Sequence, residues 1–338
     1  MASKKSNSLT KRIFISAFVS LIIAFIALAS WFFVFIHKPV LPPSFPFEIS
    51  IKHGSTLKTA AKEIEASGMP IDAWKFELMG RLLGKSKNLK AGIYQINDPI
   101  SPLELLTKMR LGDAMKSEIT FIEGNTFAQF RKTLAGHAGL KQDTADLTDQ
   151  AILELVGAKA PSPEGLFFPD TYLFTGGMSD LAILKRAYQS METALAKEWE
   201  RRAPGLPYKT PYEALIMASI VEKETGLPAE RPRIAAVFIN RLKIGMKLQT
   251  DPTVIYGLGL GFDGNIRKKD LSADTPYNTY TRVGLPPTPI AMPGLAAIQA
   301  VLHPAATSEL YFVSRNDGSH YFSKTLEEHN RAVAKYQK

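Results

Sequence analysis

The chain has 338 residues, no cysteine, and a formal net charge of +9 with a pI near 9.4. The absence of thiols excludes disulfide staples, thiolate metal sites and cysteine nucleophiles. The positive balance suits nucleic acid, anionic lipid or a polyanionic wall polymer without choosing among them, and because Lys and Arg are scattered, most of them read as solvated surface.

From Ile13 to Ile36 the chain runs for 24 positions without a charge, enough to cross ~30 Å of hydrocarbon as one tilted helix. Lys4, Lys5, Lys11 and Arg12 precede this run and only Lys38 follows closely. The positive-inside rule therefore makes residues 1–12 a cytoplasmic tail of a single-pass inner-membrane protein and puts everything from about residue 40 on the periplasmic side. A cleaved signal peptide is the competing reading. The run is too long for one, and Trp31-Phe32-Phe33 stands where small residues would mark a cleavage site. Pro39, Pro42, Pro43 and Pro46 predict a stiff linker over residues 37–47 that holds the next domain off the bilayer. That topology favours a carboxylate-bearing wall polymer as partner and leaves no role for nucleic acid.

Two segments seventy residues apart echo each other: ISIKHGSTL at 49–57 and ITFIEGNTF at 119–127. Each reads strand, turn, helix. Ile49/Ile51 and Ile119/Phe121 alternate, Gly54 and Gly124 free the turn, and Ser55 or Asn125 with the following threonine caps the next helix. Helices near 57–67, 72–84 and 101–111 and a short strand in LKAGIYQI complete a first α+β module at 48–116, followed by a second α+β segment at 117–178. In the latter, GLFFPDTYLF reads as core packing or as a carbohydrate platform with Phe168 and Tyr172 on a groove wall. Residues 179–204 form one long amphipathic helix with Leu181, Leu184, Ala187, Met191 and Leu195 on one side.

A second helix follows in PYEALIMASIVEKETGLPAE. At about 100° per residue, Glu224 shares a face with Met217, Ile220 and Val221, and Thr225-Gly226-Leu227-Pro228 stops the helix just after it. Burial and the carbonyl end of the helix both disfavour a carboxylate there, so Glu224 is expected to hold its proton near neutrality, as a general acid must. Glu222 lies roughly 160° round the helix and is the runner-up acid. A solvated helix end, with Lys223 and Arg231 as ion-pair partners, is the plain alternative.

Beyond the apolar-periodic helix at 234–242, LQTDP sets Gln249, Thr250 and Asp251 side by side ahead of Pro252. They read as the lining of a site, with Gln249 the better substrate ligand; Asp251 reads equally as a helix cap. PYNTY offers Tyr277, Asn278 and Tyr280 between prolines, aromatic faces for sugar rings and an amide for an N-acetyl group, with core use of the tyrosines as the alternative. The six histidines, His303, His320 and His329 among them, show no metal-ligand spacing, and no Gly-rich phosphate loop follows a strand, so neither metal nor cofactor is expected.

VEKETG, RIAAVFINRLKIGMKLQTDPTVIYGLG and PYNTYTRVGLPPTPIAMPG, with GLFFPDTY before them and HPA and HYFS after, closely resemble the signature blocks of the endolytic murein transglycosylases of the MltG (YceG-like) family. The resemblance implies that the glutamate before the threonine of EKET, Glu224, is the catalytic acid. It also implies that 48–116 is a LysM-like module and that 179–338 is a mainly helical, lysozyme-like catalytic domain. The implied substrate is peptidoglycan, with membrane-bound wall synthases as partners. One glutamate would serve as acid and then base and leave a 1,6-anhydro-MurNAc end, since no second acid is compelling. A muramidase using Asp251 or Glu222 as second carboxylate, and a non-catalytic glycan-binding scaffold, are the alternatives.

Overall fold

The computed structural model describes residues 3–52, 54–114 and 116–337. Helix α1 (Ser3–His37) takes in the apolar run and extends it backwards, so the expected boundary between tail and span at residues 12 and 13 is not a break in structure; Met1 and Ala2 lie outside the described residues. Its stretch Phe14–His37 is the one segment among the described residues long and apolar enough to cross a membrane.

The chain divides into two compact units, residues 1–117 with 175–178, and residues 118–174 with 179–338. The second α+β segment expected at 117–178 is therefore not a module of its own. Almost all of it shares a unit with the region expected to be catalytic.

In the first unit, β1 (Phe47–Ile51), α2 (Leu57–Ala66), α3 (Ala73–Leu82), β2 (Gly92–Ile96) and α4 (Pro102–Leu111) follow in order. β1 and β2 pair antiparallel, with Ile49 opposite Tyr94. The two-residue period turns Ile49, Ile51, Tyr94 and Ile96 onto one face. That face meets Leu57, Ala60, Ala61 and Ile64, the three- and four-residue stripe of α2. Gly54 takes φ +80 in the first turn, and Thr56 caps α2 by accepting the Thr59 N–H at 3.3 Å. The Tyr94 hydroxyl donates to the Lys90 carbonyl at 2.6 Å, and burial pushes its pKa up to about 12.

Residues 37–47 are not a free spacer. Val40 and Ile100 exchange backbone hydrogen bonds of 3.1 and 3.2 Å. Ile36 is buried in the first core, with Phe32 and Phe35 packed against it. The prolines stiffen the segment but leave Val40 both backbone groups to pair, and hydrophobic burial at the end of α1 outweighs the preference for extended chain.

The second unit opens within β3 (Lys116–Thr120), which with α5 (Phe127–Ala135) repeats the strand–turn–helix pattern, with Gly124 at φ +75 and Thr126 capping α5. After α6 (Asp149–Val156) comes β4 (Thr171–Thr175), which pairs with β3. The aromatic cluster is packing: Phe121 stacks on Phe130 at 4.1 Å, Phe127 on Phe167 at 5.0 Å, and the buried Tyr172 donates to the Phe168 carbonyl at 2.7 Å. The chain continues through α7 (Asp180–Glu200), α8 (Pro211–Glu224), α9 (Arg231–Lys243), α10 (Asp251–Leu258), α11 (Lys268–Ser272) and α12 (Leu295–Leu302). A hairpin of β5 (Tyr311–Ser314) and β6 (His320–Ser323), covered by α13 (Leu326–Tyr336), completes it. α8 is the central helix, buried at every position from Ala214 to Val221 by α7, α9, α10 and α12. A helix enclosed on all sides carries apolar residues all round.

Candidate functional site

α8 starts at the Thr210 cap with Pro211 in its first turn and ends at Glu224. Thr225 there turns extended, at φ −145 and ψ 133, and its hydroxyl accepts the Leu227 N–H at 2.9 Å. The stop therefore rests on the threonine, since Gly226 takes no left-handed conformation.

Glu224 opens into a cavity of about 670 Å³ whose wall also includes Gln249, Thr250, Asp251 and Tyr280. Five of the residues singled out in the sequence thus meet in one place. Arg241 of α9, Tyr311, Phe312 and His320 of the hairpin, and His329 and Asn330 of α13 are also in the wall.

Threonines lock the wall. Thr279 accepts the Thr250 N–H at 3.1 Å and shares a 2.9 Å hydrogen bond with the Thr253 hydroxyl, while its carbonyl accepts the Gln249 N–H at 3.1 Å. Gln249 is held at φ +53, a left-handed backbone that costs a non-glycine residue about 1–3 kcal/mol, and its side chain is exposed to the cavity. Thr250 occupies the N-cap position of α10 yet makes no capping bond; its hydroxyl donates instead to the Glu224 carboxyl. Asp251 is the first residue of that helix rather than its cap, and it accepts the Tyr280 hydroxyl at 2.5 Å.

Glu224 has its pKa raised. Burial is the largest cause and the Asp251 charge adds to it; the Thr250 hydroxyl, then His320 and Arg241, act the other way. Arg241 is buried, donates from Nε to the Leu310 carbonyl at 2.6 Å and from Nη1 to the Leu248 carbonyl at 2.5 Å, and so ties the hairpin to the Gln249 loop.

Three expected residues lie elsewhere. The Asn278 amide nitrogen donates to the carbonyls of Asp270, Leu271 and Ala273 at 3.1, 3.1 and 2.7 Å, and its oxygen accepts the Tyr280 N–H at 2.8 Å. Its amide organises the PYNTY loop and is not offered to an N-acetyl group. Tyr277 packs edge-on against Tyr256 at 4.9 Å and shares a 2.8 Å hydrogen bond with Thr288, so PYNTY presents one ring to the cavity, Tyr280, and not two. Glu222 is held outside the cavity by the Gly294 N–H at 2.9 Å and by Arg231 at 3.3 Å. Burial raises its pKa while those two partners oppose the shift.

The sequence pattern did not single out Arg241 or Glu164. Arg241 was detectable: it follows Ile234, Val237 and Phe238 at the spacing of a buried face, where an arginine needs a reason. Glu164, 4% exposed, accepts the Phe127 N–H at 3.0 Å and the Tyr256 hydroxyl at 3.2 Å, and burial raises its pKa to about 7. It precedes a glycine in a loop, and nothing local announced its burial. Among the described residues no group of three or more His, Asp or Glu side chains stands close enough to hold a metal.

Fold and site together define an α+β protein with one long apolar N-terminal helix and an open cleft built around the Glu224 carboxyl, whose pKa burial raises. The chain belongs to the YceG-like family, whose family model matches residues 49–335. It is similar to an endolytic murein transglycosylase of Bacillus subtilis (strain 168), 32% identical over an alignment of 310 positions that covers 85% of this chain and 84% of that one. A protein of the same name from Streptococcus pneumoniae serotype 2 is 28% identical over an alignment of 367 positions, gaps included, that covers 95% of this chain and 65% of the other. The crystal structure of a YceG-like protein from Listeria monocytogenes, 31% identical, matches with a TM-score of 0.55 over 84% of this chain and 98% of that one.

Proposed function

We propose that this protein is a membrane-anchored peptidoglycan lytic transglycosylase that cuts glycan strands internally at the MurNAc–GlcNAc bond and leaves 1,6-anhydro-MurNAc ends. The names of its relatives support the substrate class. The observation that carries the reading is Glu224: a carboxyl with a raised pKa, open to a cavity of about 670 Å³ and hydrogen-bonded by Thr250.

In this mechanism Glu224 protonates the leaving glycosidic oxygen. Its carboxylate, now accepting from Thr250, then takes the proton of the muramic acid 6-hydroxyl as that oxygen attacks the anomeric carbon. Burial makes Glu224 a ready donor and the threonine stabilises the anion left behind. Gln249 and Tyr280 flank the reacting sugar with an amide and a ring.

The apolar helix anchors the chain with its N-terminus in the cytoplasm and the two units in the periplasm, close to newly made glycan and the synthases that make it. The strand–helix–helix–strand order of the first unit, with its strands paired antiparallel, supports a LysM-like reading, and the helix-rich second unit supports a lysozyme-like one.

Asp251, in the wall beside Glu224, favours muramidase hydrolysis as the second reading, with Asp251 as base for water. Product mass separates the two, because the anhydro product is lighter by one water. The deciding experiment is Glu224→Gln assayed on purified glycan strands. A general acid contributes about 10²–10⁴-fold, so activity is expected to drop by at least about a hundredfold; undiminished digestion would overturn the Glu224 assignment, and a wild-type protein that binds the strands without cutting them would be a glycan-binding scaffold.

A further inference from the structure

His320, the first residue of β6, is held from two directions by one carboxylate. Glu230 accepts the His320 backbone N–H on Oε1 at 3.0 Å and the ring Nδ1 on Oε2 at 2.7 Å. Both side chains are only about 15% exposed, 15% and 14%. Phe312 meets the imidazole edge-on at 5.4 Å, so the ring plane is fixed.

Glu230 sits at the N-cap position of α9, where free N–H groups favour an anion. An ionised carboxylate only accepts, so Nδ1 carries a proton, and whenever the ring holds just that one proton Nε2 keeps its lone pair. His320 lines the cavity that holds Glu224, whereas Glu230 does not. The Nδ1 edge is thus turned to the carboxylate and the opposite edge to the cavity. Among the described residues nothing hydrogen-bonds Nε2, nor is it a buried, unpartnered atom. A carboxylate that fixes both position and tautomer of an imidazole is the arrangement that readies a ring nitrogen for an outside partner.

We propose that His320 is a glycan-contacting residue of the Glu224 cavity, set by Glu230 as its positioning residue so that Nε2 accepts a sugar hydroxyl while Glu224 acts on the neighbouring bond. The proposal rests on the glycan-cleaving reading above. Its test is built to fail separately, because binding is read without turnover.

The full chain in detergent is given His320→Ala or Glu230→Gln, each alone and in a Glu224→Gln background. Cleavage kinetics are measured with the first pair and equilibrium binding of purified glycan strands with the second. Loss of one neutral hydrogen bond predicts about a threefold to tenfold rise in both KM and Kd, with kcat within about twofold because the contact acts on binding. In Glu230→Gln the new amide donates to Nδ1, which moves the ring proton to Nε2. The ¹⁵N resonances of His320 should switch tautomer, and KM should rise as in His320→Ala. A merely structural clamp would lower the melting temperature of both variants and leave KM and Kd unmoved. That result, or a wild-type ring protonated at Nε2, overturns the proposal. Should His320→Ala fail to fold, Glu230→Gln, which keeps a hydrogen bond to the ring, decides alone. Undiminished cutting by Glu224→Gln would overturn the acid assignment and leave the binding result standing.

Discussion

At the scale of single residues, the contact that matters most is the Thr250 hydroxyl on the Glu224 carboxyl, because it stabilises the charged form against a site that otherwise penalises charge. Thr250→Val keeps the shape and removes the donor, so the Glu224 pKa should rise further and the alkaline limb of the kcat/KM profile should move to higher pH. One hydrogen bond to a charged group is worth about 1.5–3 kcal/mol, so kcat/KM should fall by about tenfold or more. Glu164 makes a separate statement, about stability. Its folded-state pKa is raised from 4.5 to about 7, so the native chain holds a proton that the unfolded chain has released. The stability it supports is full below about 4.5 and is lost as the pH climbs through about 7. By linkage the loss is roughly 3 kcal/mol. Glu164→Gln should flatten denaturant midpoints across that window and raise them above it. Glu164 was not legible in the sequence, since burial of a loop carboxylate is decided by α5 and α10 closing over it from distant parts of the chain.

At the scale of elements, the site is a junction. The end of α8 supplies the Glu224 carboxyl, the segment entering α10 supplies hydroxyl, amide and carboxylate, and the β5–β6 hairpin with α13 supplies the far wall. Arg241 joins the far wall to the Gln249 segment through two carbonyls. Arg241→Met should therefore cost about 3 kcal/mol of stability, from charge-assisted hydrogen bonds lost and carbonyls left dry, readable as a lower urea midpoint with unchanged slope. Much of this scale was legible. The Met217, Ile220, Val221, Glu224 spacing gave the face of the helix, and Gln249-Thr250-Asp251 gave a lining, because both depend on local periodicity. Asn278 and Tyr277 misled because an amide or a ring between prolines looks alike whether it faces a ligand or its own loop. Three inward carbonyls, invisible in the sequence, decided the matter for Asn278.

At the scale of the whole molecule, the echo of ISIKHGSTL and ITFIEGNTF gave two similar local motifs but could not say that each closes on a different partner, β2 for the first and β4 for the second. Strand pairing is a long-range choice, and so are the hydrogen bonds that tie 118–174 into the second unit, among them Gly124 N–H to the Met292 carbonyl at 2.8 Å and Phe168 N–H to the Ala187 carbonyl at 3.0 Å. The apolar helix makes its own prediction. Leu21 and Phe25 are 69% and 70% exposed and lie one turn apart. Arginine at the centre of a span costs about 2.5–3.5 kcal/mol apiece, so the double replacement Leu21→Arg with Phe25→Arg should shift the protein from the carbonate-washed membrane pellet to the soluble fraction; retention in the pellet would remove the anchor.

The burial of Ile36, flanked by Phe32 and Phe35, bears on how the protein is handled. Trimming the chain at the end of the oily stretch, the customary route to a water-soluble fragment, would pull a plug from the first unit and bare the pocket that had held it. Fragments starting near residue 38 should clump and melt early. Fragments that begin a full turn before Phe32 should stay monodisperse, at the expense of a short greasy stub.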